Sequence, residues 1–100
     1  MIESKNMVLD DAEEGLSGIT QTEGVFLVEV TLAATGVKHS AVFTLYNNAG
    51  TPTTVLTAGN GTYFSITKAT DTKTNVYWLT NQVRVENQLG QAEEFIIKML

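Results

Sequence analysis

The stretch VFLVEVTL, residues 25–32, decides the fold class. Phe26, Val28, Val30 and Leu32 fall on one side of an extended chain, and all four are apolar. Val25, Leu27, Glu29 and Thr31 fall on the other side. Side chains alternate between the two faces of a strand, so a period of two with one uniformly apolar face predicts a strand with one buried side. Later segments repeat the pattern. AVFTLYN (41–47) sets Ala41, Phe43 and Leu45 against Val42, Thr44 and Tyr46. TYFSIT (62–67) sets Phe64 and Ile66 against Tyr63 and Ser65, and TNVYWLT (74–80) sets Val76 and Trp78 against Tyr77 and Leu79. TTVLTAG (53–59) is a shorter candidate, and QVRVEN (82–87) with EEFIIKML (93–100) reads as a terminal hairpin around QLGQA.

The intervening segments carry turn chemistry. ATGVKHS (34–40) reads as a turn, KATDTK (68–73) as a polar loop, and NNAG (47–50) supplies residues that tolerate positive φ. Asn60–Gly61 predicts a tight type I′ hairpin. Pro52 is the only proline and fits a loop or an edge strand, because it offers no ladder donor. Val, Ile and Thr make up thirty of the 100 residues, and Thr alone fifteen, which favours a pleated surface over a helix. The expected fold is all-β: a small β-sandwich or barrel of six to seven short antiparallel strands with an N-terminal extended arm.

That arm is residues 1–24, and the β domain is residues 25–100. The arm holds three glycines, polar spacers and scattered apolar residues. Within it, NMVLDDAEEGL suggests a helical turn or two between Asn6 as N-cap and Gly15 as stop. Charge is uneven along the chain. Residues 1–29 hold seven acids (Glu3, Asp10, Asp11, Glu13, Glu14, Glu23, Glu29) against Lys5 alone, out of a net charge of −5 for the whole chain. Such a balance disfavours nucleic acid, whose phosphates demand clustered Lys and Arg. It favours a basic protein surface or simple solvation. No apolar run approaches a membrane span, and the start shows no secretory pattern, so a soluble chain made in a cytoplasm is expected.

Catalytic chemistry finds little footing. There is no cysteine, and the single histidine, His39, sits beside Ser40 in a polar stretch and reads as an exposed loop residue. A triad needs a base held against its nucleophile by tertiary structure, and a zinc site needs several His or Cys ligands. Neither a metal nor a cofactor is expected, and the chain is expected not to be an enzyme. DDAEEG (10–15) lacks the spacing of a calcium loop, which leaves calcium the minority reading behind a docking arm. Asn60–Gly61–Thr62 fits the glycosylation pattern, but a turn already accounts for it. Trp78 is expected in the core with Val76. Tyr77 and Leu79 then point outward, with Tyr63 nearby, as a candidate subunit contact or a sugar platform.

A small, cysteine-free, Thr-rich β domain behind the arm MIESKNMVLDDAEEGLSGITQTEG, with strands such as AVFTLYNNAGTPTTVLTAGNGTYFSIT, resembles the capsid decoration (cement) proteins of tailed bacteriophages in overall style. The resemblance implies a non-enzymatic virion protein on the capsid surface. It would bind the major capsid protein and assemble as a homo-oligomer, often a trimer. An extended 24-residue arm reaches up to roughly 80 Å. The partner-binding residues expected on it are Val8, Leu9, Asp10, Asp11, Glu13, Glu14, Leu16 and Ile19. The alternative is a carbohydrate-binding or adhesin-like β-sandwich module, including a tail or fibre component, using Tyr63, Tyr77 and Leu79.

Overall fold

The structure is a computed structural model and describes residues 4–100. Among these, nine strands form two sheets and no helix occurs. The strands are β1 (Ser4–Leu9), β2 (Glu14–Leu16), β3 (Gly24–Thr31), β4 (Lys38–Asn48), β5 (Thr51–Gly59), β6 (Phe64–Ser65), β7 (Thr74–Leu79), β8 (Gln82–Asn87) and β9 (Glu93–Met99). One sheet runs β1-β9-β3-β4-β5 and the other β2-β8-β7-β6. The sheets remain open and pack face to face, so the architecture is a two-layer sandwich and not a closed barrel. The expected six to seven antiparallel strands become nine, and β6 pairs with β7 in parallel.

The core lies where the alternation puts it. Phe26, Val28 and Val30 of β3, Phe43 and Leu45 of β4, and Phe95 and Ile97 of β9 meet Val76, Val83, Val85 and Phe64 of the smaller sheet. Phe26 and Phe43 stack at 5.6 Å, and Phe43 meets Phe64 edge-on at 6.1 Å. A fully buried phenylalanine stabilises by up to about 3 kcal/mol through apolar area alone. A buried polar tie between the layers joins β5 to β7: the Thr54 hydroxyl donates to the Val76 carbonyl at 2.9 Å.

The expected arm is built into both sheets. β1 pairs with β9 from Ser4↔Lys98 to Leu9↔Glu93, and β2 pairs with β8 from Glu14↔Glu86 to Leu16↔Arg84. Leu9 and Ile19 are core residues, at 5% and 1% exposure. No helical turn forms at residues 6–15; the chain is strand on either side of a tight turn. Met7 and Leu9 of β1 close over Gly15, where a Cβ would come within 2.7 Å of the Met7 sulfur. Thus β1 and β2, edges of different sheets, seal one side of the sandwich. The polarity of this segment hid its strands: Ser4, Lys5 and Asn6 are exposed on an edge, where one-sided apolar alternation is not required.

Two expected hairpins are instead crossings between layers. β5 and β6 lie in different sheets, so Asn60–Gly61 turns the chain from one layer to the other. The Asn60 side chain accepts from the Thr62 N–H at 2.8 Å, and its carbonyl accepts from Tyr63 at 3.0 Å. β8 and β9 are likewise in different sheets, with Asn87 bridging from the Leu9 carbonyl (2.9 Å) to that of Gln91 (2.7 Å). The two-residue hairpins are Ala49–Gly50, within the expected NNAG turn, and Thr80–Asn81. Pro52 sits on β5, an edge strand of the five-stranded sheet, as its missing donor requires.

Candidate interaction surface

The four carboxylates of DDAEEG go separate ways. Asp10 and Glu13 close the β1–β2 turn on each other: the Glu13 N–H donates to the Asp10 carbonyl at 3.0 Å, and Glu13 Oε1 accepts from the Asp10 N–H at 2.8 Å. Ala12 supplies the positive φ of 64° that this turn requires. Asp11 accepts from the Gly90 N–H at 3.0 Å, tying the turn to the β8–β9 crossing. Glu14 is on the outside of the four-stranded sheet. It accepts hydrogen bonds from the Tyr77 hydroxyl and from Arg84 (2.7 Å), and Lys68 stands 3.5 Å away. Burial opposes the Glu14 charge, but the Tyr77 and Arg84 hydrogen bonds with the Lys68 and Arg84 charges outweigh it and hold the carboxyl below its ordinary value.

This cluster corrects the expectation for Tyr77. Its side chain does leave the core side of β7, as the alternation requires, yet it is only 7% exposed. The loop of residues 66–73 lies over that face. Its Ala69 N–H donates to Glu86 at 2.7 Å, its Thr70 carbonyl accepts from Asn75 at 2.9 Å, and its Lys68 reaches Glu14. The Ser65 and Thr70 hydroxyls hold the loop together: they bond each other, Ser65 accepts from the Thr67 N–H, and Thr70 donates to the Thr67 carbonyl. Burial first, then the Glu14 hydrogen bond and the nearby carboxylates, raise the Tyr77 phenol above its ordinary value. Leu79 is exposed at the far end of β7, while the Tyr63 carbonyl accepts from Thr74 at its near end. Five residues of strand, about 17 Å, separate those ends, so Tyr63, Tyr77 and Leu79 form no common platform.

Of the other residues expected on the arm, Val8 and Leu16 remain exposed on strands β1 and β2, at 72% and 46%. Leu16 belongs to the four-stranded sheet; Val8 belongs to the five-stranded sheet, whose outer face carries a larger feature that the strand alternation contained but that only the register assembles. On the outer side of the five-stranded sheet, Leu27 stands beside Val42, Val25 beside Thr44, and Thr44 beside Val55. Ile96 adjoins across Glu29. Val25 and Val55 are 39% and 40% exposed, and Leu27, Val42 and Ile96 are half-buried. Among the described residues the charges on this face are Glu29, Glu94, Lys38 and Lys98, a balanced set, with Glu29 and Lys38 paired at 3.3 Å. The acid surplus of the described residues therefore lies elsewhere. The result is an apolar row on a neutral face, beside an edge strand, β5, whose outer backbone groups are free to pair. No family model, curated protein or solved structure matches the chain.

Proposed function

We propose that this chain is a non-enzymatic assembly module that packs the outer face of its five-stranded sheet against another protein. The observation that carries the reading is the apolar row Val25, Leu27, Val42, Val55 and Ile96 on a charge-balanced face of an otherwise acidic chain. Acidic surfaces repel one another, so a neutral apolar face is where such a chain can be approached closely without electrostatic cost. In its finer form the proposal is a capsid decoration protein of a tailed phage, with the major capsid protein as partner and several copies, three by the family habit, bracing the shell from outside. That form rests on the resemblance in sequence style. It also changes the mode of docking, since the Asp11, Glu13 and Glu14 carboxylates are hydrogen-bonded within the fold, Asp10 is tied in through its backbone, and the sheet face takes the place of a free arm.

The test is co-sedimentation with undecorated phage capsids, using the native chain and a Val25→Asp/Val55→Asp double variant. Both positions lie outside the core, and a thermal melt of the variant confirms that the chain compared is folded. Loss of sedimentation by the variant supports the sheet face. A variant that still co-sediments at full occupancy removes it. Native chain that never binds such shells removes the capsid form, and light scattering of the same pair then tests the face against a second copy of the chain.

A further inference from the structure

At the end of the sandwich where β3 runs out and β4 begins, the layers part around a cavity of about 260 Å³. Val30, Leu32 and Leu89 make its apolar wall. His39 faces it from β4, paired with Val30 across the strands, so the histidine expected in a loop is on a strand at the mouth of the core. Tyr63 stacks flat against His39, with ring centres 3.8 Å apart and planes 14° from parallel. Glu93 supplies the one carboxylate of the lining and is 2% exposed. Thr72 completes the rim with φ at 67°, a conformation a β-branched residue adopts only under constraint.

Glu86 and Glu93 are the buried carboxylates without an ion pair among the described residues, and of the two only Glu93 lines this cavity. Its Oε1 accepts from the Ala33 N–H at 2.9 Å, and Gln91 approaches its two oxygens at 3.4 and 3.5 Å. Among the described residues it has no ion-pair partner, whereas Glu14 pairs with Arg84 and Lys68, and Glu29 with Lys38. A buried carboxylate without a cation is costly and is ordinarily compensated. Here it opens onto a cavity with apolar walls and an aromatic pair, and π faces also attract cations. We infer that this cavity binds a small organic ammonium ion, with its N–H groups on Glu93, its apolar body against Val30, Leu32 and Leu89, and the Tyr63–His39 pair closing the mouth. At roughly 30 Å³ per water, the volume equals about nine waters, which suits a single-ring or short-chain amine. This site is separate from the outer sheet face and stands or falls independently of the assembly reading.

The experiment is an NMR titration of the full chain with three probes of one shape: benzylamine, benzyl alcohol and benzoate. Saturable shifts at Ala33, His39, Tyr63 and Leu89 are expected with benzylamine, at a Kd at least about tenfold below that of benzyl alcohol, and none with benzoate. Glu93→Gln keeps an acceptor for the Ala33 N–H and removes the charge, and it should bring benzylamine down to the level of the alcohol. If that variant does not fold, the charge series on the native chain still decides. Equal affinity for amine and alcohol overturns the proposal, as do shifts scattered outside the cavity or no saturation below about 10 mM.

Discussion

Glu14 and Tyr77 form the residue-scale contact with the plainest consequences. The Glu14 carboxyl is held below its ordinary 4.5 in the folded chain. As pH falls, the unfolded chain takes up this proton first. The stabilisation is therefore whole above pH 4.5 and is lost as pH falls through the folded value. Glu14→Gln should lower stability at neutral pH, and its deficit against the native chain should shrink with acidification in urea melts; a deficit constant with pH would refute the assignment. Tyr77 runs the other way. Its phenol is raised above 10.0, so the stability it lends is present below pH 10.0 and drains as the unfolded chain ionises above it. In an ultraviolet titration Tyr77 should ionise only with alkaline unfolding, and Tyr77→Phe should delete that late step. The same substitution removes a hydrogen bond to a charged group and should cost about 1.5–3 kcal/mol at neutral pH. Period-two reading placed Tyr77 on the outer face, which is where β7 puts it. It gave no sign that residues 66–73 would fold over that face, because a polar loop carries no periodicity to say where it lies.

At the scale of elements, the turns separate what was legible from what was not. NNAG announced itself, with positive φ at Ala49 and Gly50. Thr80–Asn81 did not, since Thr at φ 46° contradicts turn preference and hides a type I′ hairpin. Replacing the pair by Thr80→Asn with Asn81→Gly should raise stability by about 0.5–1 kcal/mol in chemical denaturation, because both new residues accept the left-handed region more readily. A neutral or negative change would show that the strain is compensated by contacts outside the turn. Gly59 shows the opposite constraint. Its φ is 136°, and a Cβ there would lie 2.6 Å from the Ala41 Cβ and 2.9 Å from its Cα, both on a packed strand that cannot swing away. Gly59→Ala should therefore cost about 1–3 kcal/mol. β1 and β2 resemble an arm in the sequence because polar edge strands lack the one-sided alternation of central ones. Their pairing with β9 and β8 changes what truncation means. Removing residues 1–24 exposes two strand edges and takes Leu9 and Ile19 from the core, so the shortened chain should lose its cooperative melt and aggregate. A truncated chain that melts cooperatively would restore the view of this segment as an appendage.

For the whole molecule, the distribution of charge over faces matters more than its distribution along the sequence. The first 29 residues hold most of the acid, yet the structure spreads those residues over both sheets and leaves the outer face of the larger sheet balanced. Association through that face should weaken little with added salt, since screening acts on net charge and not on apolar burial. A steep loss of partner binding between low and moderate salt would point back to acidic docking. The sequence by itself determined that the chain is all-β and which residues form the central core, because alternation along a strand is a local property and apolar faces must be buried wherever the strand ends up. It also marked Pro52 as an edge or loop residue, for an equally local reason: a missing donor. Only the tertiary structure decided which strands share a sheet, that residues 60–61 and 88–92 cross between layers, that the acidic N-terminal segment supplies two strands, and that His39, Tyr63 and Glu93 meet around one cavity. Those are facts of register and layer assignment between residues far apart in the chain, and the energies that set them arise from packing one sheet on the other.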